Sequence, residues 1–192
     1  MRAVVALGNP GAAYAFTRHN AGFILGDFLA HEWQMPSFRR AGRGRVTEAL
    51  VLRQRVVIVK PDTYMNRSGT ALGPLLQLAD FDFSADLLVA VDDYALPLGS
   101  FRMRARGSAG GHNGLVSIEN RLGSQEYCRV RIGVGPVPEG FGDPADFVLA
   151  PFEQEEVETL AQLLPTLAEA VECWLTEGIE AAMNRFNRRL GE

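Results

Sequence analysis

Two of the three histidines, His19 and His112, stand directly before an asparagine and close to glycine, in "TRHNAGF" (17–23) and "GGHNGL" (110–115). Polar residues set among glycines belong to loops at element ends, where binding and catalytic groups concentrate. Asn9 in "LGNPG", Asn66 in "TYMNRSG", Asp92 in "AVDD" and Asn113 in "GGHNG" occupy the same kind of position. One imidazole, one carboxylate and several carboxamides make a general-base site that activates water. The imidazole takes a proton near neutrality, and a carboxylate on its other nitrogen fixes the tautomer and stabilises the imidazolium. Carboxamides hold a water, an ester carbonyl or a peptide amide without adding charge. Such a set suits the splitting of an ester. It also fits plainer roles, His19 starting a helix and Asp92 closing a strand.

Other chemistries are poorly supplied. No serine lies in a G-x-S-x-G elbow. Cys128 and Cys173 lack C-x-x-C spacing and fall in expected strand and helix interiors, which suits small buried hydrophobes better than nucleophiles or a disulfide. With three histidines and no H-x-x-x-H, no metal is expected. "GNPG" and "GSAGGHNG" match neither G-x-G-x-x-G nor a Walker loop, so no nucleotide cofactor is expected either.

These residues need a frame to position them. The chain has 192 residues, 47% of them apolar and 22% charged, enough for one domain with a real core. No apolar run is long enough for a membrane span or a signal h-region, which points to the cytoplasm. "AVVALG" (3–8) and "DLLVAVDD" (86–93) read as buried strands, "RVTEALVL" and "RVVIVK" (45–60) as a strand pair, and "GSFRMRARG" (99–107) and "YCRVRIGVG" (127–135) as further strands. In the last, Cys128, Val130 and Ile132 share one face and Arg129 and Arg131 the other. Helices are expected over 19–33, over 69–80 with Asn66 or Ser68 as cap, over 115–123, and as two closing stretches at about 152–175 and 176–190. The fold class expected is a single α/β domain, residues 1–192, with a twisted mixed, largely parallel sheet flanked by helices on both faces. Such sheets bind ligands beyond the carboxyl ends of their strands, where Asn9 and Asp92 fall.

The net charge of −4 argues against nucleic acid, but its distribution does not. Lys60 is the only lysine, and arginines cluster in "RRAGRGR" (39–45), "RMRAR" (102–106), "RVR" (129–131) and "NRFNRR" (184–189), away from the acidic "EQEEVE" (153–158). A local basic face can bind phosphates on an acidic protein.

"LGNPGAAYAFTRHNAGF" (7–23), "KPDTYMNRSG" (60–69), "VDDYALPLG" (91–99), "GGHNGL" (110–115) and "RVRIGVG" (129–135) together resemble the bacterial peptidyl-tRNA hydrolase family, in its order and spacing, from residue 3 to the closing helices. The resemblance implies a cofactor-free and metal-free enzyme that hydrolyses the ester between a nascent peptide and the 3′-terminal ribose of tRNA. It makes His19 the catalytic base, Asp92 its carboxylate partner, and Asn9 a residue bonding near that histidine and the water. Asn66 and Asn113 become holders of the peptidyl part and the water, with Tyr14 and Met65 lining the cleft. Arg102 and Arg104 stand where the family commonly has lysines that clamp the tRNA 5′ phosphate, with Arg131 a further basic position. A monomer acting on the acceptor stem and 3′ end of peptidyl-tRNA, with no membrane, is implied. On this basis Asn20 supports the local helix start, and His112 supports the glycine loop rather than the chemistry. The chain departs from common relatives at Val91 (histidine), Ala95 (an acid) and Tyr64 (phenylalanine). The alternatives are a non-catalytic RNA-binding relative and a small-molecule esterase, the last leaving "RMRAR" and "RVR" without a role.

Overall fold

In the computed structural model, which describes residues 1–187, the apolar run after Met1 becomes strand β1 (Arg2–Ala6), buried from Ala3 onward. A strand apolar on both faces must be covered on both, so it belongs inside a sheet between parallel neighbours. β1 lies between β4 (Gln54–Pro61) and β5 (Leu87–Pro97), both parallel to it, and β7 (Cys128–Gly135) extends the parallel set beyond β5. Antiparallel strands complete both sides. β3 (Gly44–Val51) and β2 (Arg39–Ala41) follow β4, and β6 (Phe101–Arg104) follows β7. The order is β2-β3-β4-β1-β5-β7-β6, the mixed and centrally parallel sheet that the sequence pattern implies.

The described residues hold seven α-helices, besides short 3-10 segments: α1 (Ala21–Glu32), α2 (Gly73–Leu76), α3 (Phe83–Asp86), α4 (Asn113–Leu122), α5 (Pro144–Leu149), α6 (Gln154–Glu177) and α7 (Ile179–Phe186). They cover both faces of the sheet. On one, Val4, Ile58, Leu88 and Val130 pack with Leu25 and Leu29 of α1 and Trp174 of α6. On the other, Val5, Val57 and Val89 pack with Leu72, Leu115 and Ile118. Cys128 and Cys173 are free and buried, as small hydrophobes would be. None of these helices is long and apolar enough to cross a membrane.

Three local expectations are corrected. In place of one helix over 69–80 there is a 3-10 run, Met65–Leu72, followed by the short α2. Neither Asn66 nor Ser68 caps it: Tyr64 holds the N-cap position without a side-chain bond, and the Ser68 hydroxyl donates to the Met65 carbonyl. Pro74 at the start of α2 lacks the N–H that would continue the earlier turn, so the helix restarts there. Second, Arg129, counted in the "RVR" cluster of a local basic face, is buried and cannot contribute to one. It is 1% exposed, because β7 is interior to the sheet and covered on both sides. Its guanidinium lies 3.9 Å from the centre of the Tyr127 ring and donates to the Gln125 carbonyl. Third, the closing helices meet at Gly178, and the expected end at 190 lies outside the described residues.

Close packing of α1 on the strand ends fixes everything downstream. The Leu7 N–H donates to the Ala90 carbonyl, and the Leu7 carbonyl accepts from Phe23 in the first turn of α1. Gly22 sits in that junction, where an added Cβ would lie 2.5 Å from the carbonyl oxygens of both Ala90 and Leu7. All the nearest atoms are backbone, so none can swing aside. Gly22→Ala is therefore expected to lower stability by about 1–3 kcal/mol, the usual cost of overpacking, read from the urea midpoint.

Candidate active site

β1 ends at Ala6 beside Ala90 of β5, and the residues just past that level, Asn9 after β1 and Asp92 within the longer β5, are the first of the site. Asp92, in β5, is 2% exposed, and a carboxylate so buried must be paired. Two imidazoles from distant segments do this. His19, in a 3-10 turn (Arg18–Asn20), places Nδ1 2.9 and 3.0 Å from the two carboxylate oxygens. His112 places Nε2 3.0 Å from Oδ1.

The partners decide the tautomers. His112 is the N-cap of α4, and its Nδ1 accepts from the N–H groups of Gly114 and Leu115. Its proton must then be on Nε2, donated to Asp92. His19 likewise carries its proton on Nδ1 toward Asp92, which leaves Nε2 bare, with no hydrogen-bond partner among the described residues. His112 thus supports the glycine loop as the sequence suggested, and in addition holds the carboxylate. Burial alone would push the Asp92 carboxyl up. The facing imidazoles, His112 more than His19, outweigh it and hold the carboxyl well below the usual carboxylate range.

Asn9 follows β1 and is 6% exposed. The side chain of Asn20 grips its backbone from both sides, Oδ1 accepting the Asn9 N–H at 2.8 Å and Nδ2 donating to the Asn9 carbonyl at 3.0 Å. The Asn9 Oδ1 accepts from the Met65 N–H at 2.8 Å, so its Nδ2 is the group left to donate into the cleft. Asn20 holds the N-cap position of α1 but makes no cap bond, which corrects its expected role in starting the helix.

A cleft of about 710 Å³ opens over this cluster. It brings together His19, Asp92, Asn9, Tyr14, Met65, Asn66, Asn113 and Arg131. Asn66 and Asn113 are exposed in it, and no internal hydrogen bond occupies either side chain among the described residues. Tyr64 is 61% exposed on its wall, its ring edge-on to Tyr14 at 6.3 Å. Arg102 and Arg104 lie outside the cleft on β6, an outer strand. Arg131 faces Arg102 across the ladder but is already engaged. It pairs with Asp93 at 3.1 Å and donates to the carbonyls of Ser108 and Ala109 in the glycine loop.

Donor atoms of His19, Asp92 and His112 lie within 4.8 Å of one another, a spacing that a cation could bridge only by displacing the protons that now join them. Burial pushes the Cys128 thiol up to about 11, which keeps it protonated and unreactive. The sequence reading missed the grip of Asn20 on Asn9, the Arg131–Asp93 pair, and the second bond of His112. Each depends on strand register or loop closure, which residue spacing does not reveal.

The peptidyl-tRNA hydrolase family profile matches residues 3–192. A peptidyl-tRNA hydrolase of Gemmatimonas aurantiaca is 44% identical over 98% of this chain and 100% of its own length. One of Chloroflexus aggregans is 46% identical over 96% and 97%. A crystal structure of peptidyl-tRNA hydrolase from Acinetobacter baumannii superposes with a TM-score of 0.87 at 29% identity, covering 96% of this chain and 93% of that one.

Asp92 has a lower pKa folded than the roughly 3.9 of an unfolded aspartate, so its contribution to stability is complete above that value and shrinks as pH falls through the folded one. The stability gap between wild type and Asp92→Asn, measured by urea unfolding, is expected to be widest near pH 7 and to narrow toward pH 3.

Proposed function

The chain belongs to the peptidyl-tRNA hydrolase family, and we infer that it is an esterase cleaving the bond between a nascent peptide and the 3′-terminal ribose of tRNA, with His19 as general base and Asp92 orienting it. The observation that carries the mechanism is the bare Nε2 of His19, held by a buried carboxylate on its other nitrogen and open to a cleft lined by Asn9, Asn66 and Asn113. A water on Nε2 gives up one proton to it as its oxygen attacks the ester carbonyl. Asp92 stabilises the imidazolium that results. When the tetrahedral adduct collapses, His19 returns the proton to the departing ribose oxygen, releasing free peptide acid and tRNA. Asn9 Nδ2 is placed to hold the water or the developing oxyanion. Asn66 and Asn113 carry both donors and acceptors, as recognition of a peptide amide requires.

Arg102 and Arg104 sit on the outer strand with no ion pair among the described residues, and so are free to grip phosphate. Such contacts position the acceptor stem without reading its sequence, which suits an enzyme serving many tRNAs. Arg131 adds charge beside them while it holds the glycine loop. The enzyme acts as a cytoplasmic monomer without metal or cofactor.

His19→Ala is expected to slow release of N-acetyl-amino acid from N-acetyl-aminoacyl-tRNA by at least about 10²–10⁴-fold in EDTA while tRNA binding persists. Absence of release by wild type, with tRNA still bound, would instead mark a non-catalytic RNA-binding relative. The double variant Arg102→Ala, Arg104→Ala should bind tRNA more weakly and flatten the dependence of affinity on salt, with the salt slope falling by roughly one for each phosphate left unneutralised. Unchanged binding would place the clamp elsewhere.

A further inference from the structure

The residue directly before the base, Arg18, is a buried arginine that the mechanism above does not use: its side chain is 7% exposed. Its guanidinium ties three segments together. One nitrogen meets Glu156 Oε2 at 2.6 Å, and the other reaches the carbonyls of Phe147 and Ala150, at 3.3 and 3.4 Å, where α5 ends. The plane lies 4.3 Å from the centre of the Phe147 ring and 5.8 Å from that of Phe152. Glu156 is itself occupied, since the same Oε2 accepts from the Glu153 N–H in the capping box that starts α6. The main chain repeats the link. Arg18 N–H donates to the Ala150 carbonyl, Phe152 N–H donates to the Phe16 carbonyl, and Thr17 bridges Pro151.

α5 forms one wall of the cleft through Pro144, Ala145, Val148 and Leu149, with Asp143 at its start. That wall is apolar and acidic, so it repels phosphate and suits the acyl part of a substrate. The segment joining β7 to α5 is exposed over most of its length, with Gly140 and Gly142 at positive φ, and it meets α5 through the Phe141 ring, edge-on to Phe147 at 5.4 Å between centres, and the Asp143 cap. Phe147 and Val148 anchor α5 in the core, and the polar ties of its carboxyl end run to the turn that carries His19.

We propose that Arg18 is a positioning residue which seats the α5 wall against the His19 turn and thereby sets selectivity for the acyl side chain next to the ester. This rests on the reading of the cleft as an esterase site. An arginine is needed because only its planar fork can meet a carboxylate and two carbonyls while stacking on a ring; a lysine offers a single point charge. If the wall loosens, a large apolar side chain is held less closely, whereas a glycyl group has no side chain for the wall to hold.

The test compares hydrolysis of N-acetylphenylalanyl-tRNA and N-acetylglycyl-tRNA by wild type, Arg18→Lys, Arg18→Met and Glu156→Gln. Arg18→Met should lose about tenfold in kcat/KM on the phenylalanyl substrate, mostly in KM, with little change on the glycyl one. Arg18→Lys should lose nearly as much. Affinity for deacylated tRNA and the pH profile should stay as in wild type. Glu156→Gln keeps an acceptor for Glu153 and should shift selectivity the same way but less, which preserves the test if the Arg18 variants fold poorly. Equal losses on both substrates, or none on either, across these variants would overturn the proposal. Wild type inactive on both would overturn the esterase reading itself.

Discussion

A single buried carboxylate sets the terms for the rest of the molecule. Asp92 ends the buried stretch of β5, where an unpaired charge would be intolerable, and it is satisfied by imidazoles from the turn before α1 and from the loop before α4. The two histidines differ in the duty of the other ring nitrogen. For His112 that duty is to cap α4, so helix start and carboxylate are joined through one ring. For His19 the second nitrogen is left over, and it is this nitrogen that the proposed mechanism uses as the base. The rings lie 4.9 Å apart between centres, two arms around one anion.

Holding this cluster requires backbones to approach more closely than side chains permit. Gly22 lets the first turn of α1 rest on the carbonyls that end β1 and β5. Gly69 lets the 3-10 run carrying Met65 and Asn66 press on α4, where a Cβ would come within 2.1 Å of the Ser117 carbonyl. The Met65 amide, brought in by that contact, fixes the carboxamide of Asn9. The order of causes therefore runs from absent side chains, through close contacts, to an oriented donor at the cleft.

Much of this was legible in the sequence alone. The apolar runs at 3–8 and 86–93 read as buried strands, which sets the polar residues that follow them at one edge of a parallel sheet. Asn9, His19, Asn66, Asp92, His112 and Asn113 could be singled out by type and place, and the family resemblance supplied their expected roles and added Tyr14 and Met65. What escaped was whatever depends on pairing across distance. Arg129 alternates with apolar neighbours like any exposed strand residue, and only the position of β7 inside the sheet buries it. Asn20 sits where a helix cap belongs, and nothing local says that its amide turns to Asn9 instead. The restart at Pro74 was visible as a proline, but the 3-10 winding before it comes from packing on α4.

Both outer strands carry arginines, Arg39 and Arg40 on β2 and Arg102 and Arg104 on β6. An outer strand presents unpaired amides and carbonyls to any other strand that comes near, and like charges along it deter a second copy from adding to the sheet. On β2 the arginines thus disfavour edge-to-edge pairing, while on β6 the amide and carbonyl of Met103 are already taken by the Asn187 side chain. Screening would act on the β2 edge and on the proposed phosphate contacts of β6 together, since concentrated salt weakens such contacts and also lowers the barrier to self-association.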